Sequence, residues 1–547
     1  MSSGFFDSAL SWLLLLFISI AAASCILKTK KKSVISRDKL PPSPPKLPII
    51  GNLHQLRKLP HQKLWKLSQK YGPAMLLQLG NSPTLVISSA QMAKQIMKTH
   101  DTSFCSRPPS PGAKRIFYNF LDLAFTPYGD HWRRMRKIFV SQLLNSRTNP
   151  SFLHAREVEI GHLIDYLSAA SPNPVNVDEK MFNLVGGVID KVAFGKRRRG
   201  KKFQGQELKD VLDEVMDVLN GFSAEDFFPF LGRIIDSVTG HRARLNKCFQ
   251  KLDSYLEMVL DEHLNQEMQN GEDEDLVDVL IRLSKDNSGV YLSKEHIKAL
   301  LMNIFLGGVD TTAITLVWAM SELMKNPRVM QKVQEEIRGN LGMKQKVDSD
   351  DLKKLIYLKM VMKETLRLHP AVPLLIPRQC MQHCKISDGN NVYDIYPKTK
   401  VLINAWAIGR DPNSWKNPNE FLPERFEESE IDFRGQHFEL VAFGAGRRLC
   451  PGISTSIATI EFTLANLLYW FDWQLPNGLK MDLEEEELVL KKEAEALVNF
   501  SKVLPRCHQS PRVLHHQSPR VLRHQSAKKL SPRDMYKKPK SIHYQLK

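Results

Sequence analysis

One cysteine of this 547-residue chain stands where a reactive or metal-binding sulfur is favoured. Residues 443–452 read Phe-Gly-Ala-Gly-Arg-Arg-Leu-Cys-Pro-Gly, and an apolar stretch follows to about Trp470. Because proline suits the first position of a helix, the spacing predicts that Cys450 is the N-cap of that helix. The helix dipole would then stabilise a thiolate and lower the pKa of Cys450. Such a thiolate can ligate a haem iron; an inert buried cysteine and a nucleophilic cysteine are the alternatives.

A long helix with polar residues at its centre is the second segment that could do chemistry. The stretch Lys294–Lys325 has no proline and ends before Pro327, which predicts one helix of about 48 Å. Gly307-Gly308 and Asp310-Thr311 interrupt its apolar centre, although each glycine in a helix costs about 1 kcal/mol relative to alanine. A close helix crossing with a satisfied polar pair would explain this pattern. The alternative is a weakened helix whose hydroxyl and carboxylate serve an apolar pocket.

The elements that must position these residues are mostly helices. Helical spacing of apolar residues dominates from about Gln62 onward. Three short runs have the pattern of strands, namely Ala74–Leu79, Thr84–Ser88 and Val401–Ala405. No alternation of strands and helices and no internal repeat is found in the body of the chain. The sequence therefore predicts a mainly α protein with a small β lobe, in the α+β class.

The first 27 residues predict a membrane anchor. Residues 9–27 carry no charge, and as a helix they would span about 28 Å, close to the hydrocarbon thickness of a bilayer. Four lysines follow within residues 28–32, so the positive-inside rule places the remaining chain in the cytoplasm. A cleaved signal peptide is the alternative, but no basic region precedes the apolar stretch. Proline-rich residues 40–48 predict a stiff spacer, rather than a ligand for an SH3-type domain.

Charge and cysteine content exclude several classes of function. Of the net charge of +18, +6 lies in residues 28–46 and +10 in residues 505–547, which leaves +2 for the rest. The body therefore lacks the basic surface of a nucleic-acid-binding protein, and no nucleic acid is expected as a partner. The seven cysteines are scattered without a CxxC pair. Neither a structural zinc site nor a disulfide scaffold is expected.

Four segments together resemble the cytochrome P450 family. Residues 443–452 match its FxxGxRxCxG pattern at every fixed position, with Ala442 where a proline is common. Gly307–Thr312 is similar to the oxygen-pocket motif of the family's long distal helix. Glu364–Arg367 matches ExxR and Pro423–Phe426 matches PxRF, in the family's order along the chain. The resemblance covers about residues 1–495 and looks closest to plant microsomal members of specialised metabolism.

The resemblance implies a role for each matched residue. Cys450 would be the axial ligand of the iron of haem b. The residues expected to contact the haem are Trp132, Arg136, Arg378, Phe443, Gly444, Arg448 and Gly452. Asp310 and Thr311 would deliver protons, while Glu364, Arg367 and Arg425 would form a structural group beneath the haem. The substrate pocket is expected to include residues 110–125 together with Phe305, Gly308, Thr312, Val372 and Leu374.

The activity that the resemblance implies is monooxygenation of a small lipophilic molecule. One oxygen atom from O2 would enter a terpenoid, alkaloid or phenolic plant metabolite, with electrons from NADPH through NADPH–cytochrome reductase. The protein would be a single-pass protein of the endoplasmic reticulum membrane, with its catalytic domain in the cytosol. Two alternatives remain: a haem-thiolate dehydratase or isomerase that needs no O2, and a catalytically dead binding protein. Turnover without NADPH would identify the first, and loss of the haem-thiolate spectrum the second.

The chain is expected to divide into four parts, and some segments depart from the family's pattern. These parts are the anchor at 1–27, a basic proline-rich hinge at 28–50, the catalytic domain at 51–504 and a tail at 505–547.

Residues 481–497 lack the usual glycine turn and look helical near their end, which puts the last substrate loop in question. The tail repeats His508–Leu514 at 516–522 and should be disordered. Translation past a lost stop codon or a gene-model artefact is the main interpretation, and binding of phosphate or anionic lipid is the alternative. The basic run 196–202 is interpreted as a solvated loop rather than a nuclear-import signal.

Overall fold

The computed structural model describes the chain from residue 40 to residue 502, with gaps. The described residues are 40–56, 59–144, 151–171, 173–195, 208–265, 274–286, 292–342, 344, 347–474 and 497–502. The expected anchor, the first part of the hinge, the basic run 196–202, most of the 481–497 segment and the tail lie outside these residues.

Helices form most of the described chain, as the periodicity predicts. The first eight are α1 Pro60–Tyr71, α2 Ala90–Lys94, α3 Asp101–Phe104, α4 Pro111–Ile116, α5 Asp130–Ile138, α6 Ser151–Ala170, α7 Val177–Phe194 and α8 Leu208–Asn220. The next eight are α9 Leu231–Val238, α10 His241–Asn265, α11 Leu276–Lys285, α12 Lys294–Lys325, α13 Pro327–Leu341, α14 Ile356–Leu368, α15 Ala405–Ile408 and α16 Ile453–Trp470. Short π-helical segments, Gln95–Thr99 and Phe139–Leu143, extend α2 and α5. Single 3₁₀ turns are formed by Leu53–Gln55, Asp351–Lys354, Pro423–Phe426 and Gly446–Arg448.

The strands form a small lobe beside the helices. They are β1 Ala74–Leu79, β2 Ser82–Ile87, β3 Val175–Asn176, β4 Arg378–Gln379, β5 Cys384–Ser387, β6 Val392–Ile395, β7 Lys400–Ile403, β8 Phe471–Gln474 and β9 Leu497–Lys502. One sheet has the order β1-β2-β7-β4, in which β2 and β7 are parallel and the other pairs are antiparallel. A second sheet has the order β3-β9-β8, and β5 pairs with β6. Leu497 therefore begins a strand, where the sequence was expected to continue a helix.

The second strand of the first hairpin begins before the expected Thr84, because the turn lies earlier than Pro83. Pro83 is a residue of β2 and is paired with Gln78, while Gly80 and Asn81 make the turn. Gly80 has a φ of +55°, a left-handed conformation that glycine adopts without steric cost. Pairing of β2 with β7 begins only at Thr84, so the strand tolerates a proline at its start.

The proline-rich stretch is docked on the β lobe rather than free between anchor and body. The Leu76 amide donates a hydrogen bond of 2.9 Å to the carbonyl of Pro42. The Asn52 side chain donates 3.0 Å to the carbonyl of Pro45 and accepts 2.8 Å from the Gln78 amide. The end of this stretch therefore has a fixed position against β1.

Helix α12 lies at the centre of the core. It has the bounds that the sequence predicts, with a capping box from Ser293 at its start and Asn326 at its end. Among the described helices it alone is long and apolar enough to cross a bilayer by length and composition, but most of it is buried within the protein. Its closest helical neighbour is α7, and it also packs against α14 and α16.

Candidate haem and oxygen-activation site

The loop before α16 folds back on itself and presents the Cys450 sulfur. The Cys450 amide donates a hydrogen bond of 3.0 Å to the carbonyl of Phe443. Gly444 and Gly446 have φ angles of +71° and +66°, which glycine adopts readily. A Cβ on Gly446 would lie 2.2 Å from the carbonyl oxygen of Met97, so no side chain fits there. The two glycines therefore let this loop turn tightly enough to place Cys450 at its end.

The helix that follows Cys450 begins later than the sequence predicts. Its first residue is Ile453 and its N-cap is Gly452, so Cys450 is not the N-cap. Pro451 and Gly452 form a turn instead, and the Ser456 amide then donates 2.9 Å to the carbonyl of Gly452. Burial raises the pKa of the Cys450 thiol, while the Gly452 amide and the charge of Arg136 act in the opposite direction. The expected lowering of this pKa is thus not achieved by the helix end alone, and binding to a metal ion would complete it.

A buried N–H donor and a buried cation on α5 suit an anionic ligand. The indole Nε1 of Trp132 is buried and has no hydrogen-bond partner in the described part of the chain. Arg136 is one helical turn further along α5, and its guanidinium lies 6.0 Å from the ring centroid of Trp132. Within the described ranges, Arg136 forms no ion pair, and burial lowers its pKa. A buried donor and a buried cation of this kind favour an anion such as a haem propionate.

The other two expected propionate ligands are already hydrogen-bonded to protein. Arg378 donates 3.1 Å to Asp101 Oδ1 and 2.7 Å to the carbonyl of Ala445. Arg448 donates 2.7 Å to the carbonyl of Cys105 and lies 4.5 Å from the Trp132 ring centroid. Burial lowers the pKa of Arg448 to about 10. These arginines join the cysteine loop to other segments, and propionate contact by them remains a prediction.

The open face of α12 is formed by Gly307 and Thr311. Gly307 is exposed, and a Cβ placed on it would have no atom within 4 Å. Thr311 is partly exposed, and its hydroxyl donates 2.7 Å to the Gly307 carbonyl one turn earlier. Asp310 is adjacent and buried. A small molecule could approach α12 here, and the Thr311 hydroxyl is the proton-bearing group that it would meet.

Three residues expected in the substrate pocket lie instead outside the open face of α12. The Phe305 ring is fully covered, with its centroid 5.1 Å from that of Phe194 in α7. A Cβ on Gly308 would lie 3.2 Å from Ile189 Cδ1, also in α7. Thr312 is buried. At about 100° per residue, positions 305 and 312 point away from Gly307, and position 308 lies to the side, toward α7. Gly308 thus serves the close helix crossing that was the alternative explanation of the glycines.

Thr312 links the two halves of the site. Its hydroxyl lies 2.9 Å from the hydroxyl of Ser456, in the first turn of α16. The helix that follows Cys450 is therefore tied to the glycine segment of α12. Val372 and Leu374, the remaining expected pocket residues, are partly buried in the segment before β4, and Leu374 packs on the apolar side of β1 and β2.

Glu364, Arg367 and Arg425 form the three-residue group that the motifs predict. Arg367 binds Glu364 through two hydrogen bonds of 2.7 and 2.8 Å, and both side chains are fully buried. Arg425 donates 2.9 Å from Nε to Glu364 Oε1. Arg367 also donates to the carbonyls of Gly409, Pro418 and Glu420. The group therefore fixes the loop 409–425 to α14 and acts on structure.

Sequence reasoning missed two residues that contact this site. Asp101 accepts hydrogen bonds from Arg378 and, at 2.8 Å, from Arg447. Asn303 lies on the Gly307–Thr311 face of α12, at positions i−4 and i−8 from those residues. No local signal identifies Asp101, because its partners are about 280 and 350 residues away. Helical spacing counted back from Thr311 would have found Asn303.

Comparisons with known proteins agree on one family. A family model described as Cytochrome P450 matches residues 41–500. The chain is 47% identical over 481 residues to 2-methylbutanal oxime monooxygenase of Manihot esculenta, which covers 86% of this chain and 92% of that protein. It is 51% identical over 472 residues to parthenolide synthase of Tanacetum parthenium, covering 85% and 92%. A solved structure of a zebra fish cytochrome P450 with progesterone is similar with a TM-score of 0.68 and 25% identity, covering 81% of this chain and 99% of that one.

Proposed function

This chain belongs to the cytochrome P450 family, and from that premise we propose that it is a haem-thiolate monooxygenase acting on a small lipophilic plant metabolite. When bound, the haem supplies the activation of O2, of which one atom enters the substrate and the other leaves as water. The observation that carries the proposal is the hydrogen bond between Thr312 and Ser456. It ties the helix that follows Cys450 to the glycine segment of α12 and so supports a single site that includes both.

The chain's own residues bind the cofactor and hold a proton above it. Cys450 offers the sulfur ligand, while Trp132 and Arg136 supply a donor and a cation for the propionates. Thr311 holds a proton at Oγ1, now directed at the Gly307 carbonyl. The missing side chain of Gly307 leaves room beside that hydroxyl. We assign Thr311 to proton delivery and Asp310 to its support, which the distal-helix motif also implies.

The proposed substrate class is a terpenoid, alkaloid or phenolic. Two relatives of this chain are named for small molecules, 2-methylbutanal oxime and 4-hydroxyphenylacetaldehyde oxime, and a third is named parthenolide synthase. Among the expected pocket residues, Val372 and Leu374 are apolar and partly buried. Apolar walls with few polar groups suit lipophilic ligands. Electrons would come from NADPH through NADPH–cytochrome reductase.

The proposed location is the cytosolic face of the endoplasmic reticulum membrane, with one anchor helix. An exposed apolar surface supports it, which we call the apolar rim. The rim consists of Leu47, Ile49, Ile50, Phe222, Phe230, Leu231, Ile234, Ile235 and Val238. Its two parts meet at the first hairpin, where the Gly80 amide donates to the Ile50 carbonyl and the Asn81 amide to the Phe227 carbonyl. Since residues 47–50 end the hinge that follows the expected anchor, the bilayer is the occupant that chain connectivity brings to this surface.

Substitution of Cys450 tests the proposed function. The Cys450→Ala variant should lose the thiolate-type Soret band of the reduced, carbon-monoxide-bound protein, whereas Cys248→Ala, at a buried position of α10, should keep it. A retained thiolate band in Cys450→Ala would refute the ligand assignment.

Turnover tests the reaction class. The wild-type protein with reductase, NADPH and O2 should convert at least one member of a panel of plant terpenoids, alkaloids and phenolics. Product formed equally well without NADPH would indicate a dehydratase or isomerase instead. A wild-type protein without the thiolate band would indicate a binding protein.

A further inference from the structure

The segment Leu121–Thr126, which precedes α5, is held against α12 by a single side chain. Asn303 Oδ1 accepts a hydrogen bond of 2.6 Å from the Leu123 amide and one of 3.3 Å from the Ala124 amide. Its Nδ2 donates 3.2 Å to Asp122 Oδ2. One amide side chain of α12 therefore binds three successive residues of this segment.

The carbonyl groups of the same segment are bound from the opposite side. Arg448 donates 3.2 Å to the Leu123 carbonyl and 2.6 Å to the Thr126 carbonyl. Arg107 donates 2.9 Å to the Ala124 carbonyl. The segment thus lies between the arginines near the cysteine loop and the open face of α12, with hydrogen bonds to both. Among the contacts that the structure describes, Asn303 is the residue of α12 that forms hydrogen bonds to this segment.

The buried carboxyl group of Asp122 makes the contact depend on the amide group of Asn303. The carboxylate is fully buried and accepts 2.8 Å from the Phe125 amide at the same oxygen that Asn303 binds. Burial raises the pKa of Asp122, although four hydrogen bonds oppose that rise. An amide at position 303 can donate to this carboxyl group and accept from the backbone at once, which neither an ionised aspartate nor a leucine can do.

The backbone before this segment is strained, which makes its anchorage more important. Tyr118, Asn119 and Phe120 have φ angles of +48°, +62° and +65°. Left-handed conformations cost about 1 kcal/mol or more for residues such as tyrosine and phenylalanine, and they persist only where surrounding contacts enforce them. Without the Asn303 contacts, relaxation of this turn would move the segment away from α12.

We infer that Asn303 is a positioning residue that fixes the 121–126 segment over the Gly307–Thr311 face and so sets the shape of the substrate pocket. The inference rests on the proposed function for the identity of the pocket. Asn303, Gly307 and Thr311 lie at successive turns of one helix face. Asn303 therefore fixes the distance between the 121–126 segment and Thr311 from a position in the same helix. Asn303 touches neither the haem ligand nor Thr311, and it acts through the segment.

Hydrogen–deuterium exchange of the ferric holoprotein tests the contact directly. In Asn303→Leu, amides of a peptide covering 119–129 should exchange at least about tenfold faster than in the wild type. Asn340→Leu is the matched control, because Asn340 is exposed in α13 and its side chain donates to the Glu336 carbonyl of its own helix. Equal exchange of the 119–129 peptide in wild type and Asn303→Leu would overturn the inference.

A second pair of variants separates loss of the amide from charge repulsion. Asn303→Asp places two carboxyl groups about 3.2 Å apart and should speed exchange of the peptide. Asn303→Ala removes the acceptor of the Leu123 and Ala124 amides without adding a charge, and it should speed exchange as well. Slow exchange in Asn303→Ala would show that the Asn303 amide does not hold the segment.

Haem-binding probes test the effect on pocket shape without knowledge of the substrate. Spectral titration with imidazole should give the same Kd, within about twofold, for wild type and Asn303→Leu, since imidazole needs little space. With 4-phenylimidazole, the variant should bind at least about tenfold more weakly, because a loosened wall packs poorly on the phenyl ring. An unchanged Kd for both probes would overturn the role in pocket shape, whereas loss of the thiolate band in the wild type would overturn the proposed function instead.

Discussion

At the scale of single residues, Thr311 has a hydroxyl group whose partner is one turn away in the same helix. Its bond to the Gly307 carbonyl keeps a proton at the open face of α12. We expect Thr311→Ala to lower the product formed per NADPH consumed at least about tenfold, because no other hydroxyl replaces the proton-bearing group. Thr311→Ser should retain most of the coupling. The measurement compares NADPH consumption, product and hydrogen peroxide, and unchanged coupling in Thr311→Ala would remove Thr311 from proton delivery.

Glu364 gives a second prediction at this scale, on stability. The Glu364–Arg367 pair is fully buried and hydrogen-bonded to Arg425, and removal of one member of a buried pair costs about 3–5 kcal/mol. Glu364→Gln should therefore lower the free energy of unfolding by at least about 3 kcal/mol, as measured by urea unfolding of the holoprotein.

The Asp350–Lys353 pair is the control for Glu364. It has the same i,i+3 spacing, but its side chains are about 80% exposed. Asp350→Asn should change the free energy of unfolding by less than about 1 kcal/mol. Equal effects of the two substitutions would contradict the structural role of the Glu364 group.

The identity of site residues could be predicted from the sequence more completely than their orientation. Cys450 and the Glu364–Arg367 pair are defined by short spacings, so local sequence is enough to find them. Phe305 and Gly308 were expected in the pocket because the family resemblance implies it. Their direction depends on which face of α12 packs on α7, and that packing involves residues more than 100 positions away. Long-range contacts therefore determine the direction of these residues, which the local sequence does not predict.

At the scale of elements, boundaries were predictable where a single residue sets them. Pro327 ends α12, and Ser293 caps its start, so its bounds follow from local chemistry. The start of α16 was not predictable, because Pro451 and Gly452 can begin a helix or form a turn. The bond from the Cys450 amide to the Phe443 carbonyl decides for the turn. The sheet order was also beyond the sequence, since β2 pairs with a strand more than 300 residues away.

The contact between α10 and α11 predicts a pH dependence of stability. His263, near the end of α10, bonds to Asp275 Oδ2 at 3.0 Å and to the Val259 carbonyl at 2.7 Å, and both side chains are buried. Burial alone lowers the pKa of His263, but the bond to Asp275, with Asp278 nearby, outweighs it and raises the pKa above 6.5. The contribution of this pair to stability is therefore complete below pH 6.5 and is lost as the pH rises through the raised pKa of folded His263.

Replacement of His263 tests that dependence. His263→Gln should lower the free energy of unfolding by about 3 kcal/mol at pH 6, because it breaks a buried ion pair. The difference from wild type should shrink as the pH rises toward 9. His383→Gln is the control. His383 Nε2 lies 2.8 Å from Asp394 Oδ1, so this histidine also bonds to a carboxylate, but its ring is half exposed. A His263→Gln effect that does not vary with pH would contradict the charged pair.

At the scale of the whole molecule, charge and exposed apolar area are distributed to suit one orientation at a membrane. Of the net charge of +18, +16 lies in residues 28–46 and 505–547, so the nearly neutral body gains little from attraction to anionic lipid. The apolar rim is the exposed surface adjacent to the expected anchor. Chain connectivity and the exposed apolar side chains of the rim therefore support the same side of the protein for the proposed membrane contact.

The apolar rim predicts membrane binding that survives loss of the anchor. A chain starting at residue 40 should still associate in part with vesicles of endoplasmic reticulum lipid composition, because burial of several apolar side chains of α9 contributes about 1–2 kcal/mol each. Ile234→Glu, at a residue 53% exposed in α9, should abolish the residual binding in a flotation assay. Ile356→Glu, at a residue 54% exposed outside the rim, should leave it unchanged. Equal loss in both variants would show that general apolar exposure, rather than the rim, holds the shortened protein on the bilayer.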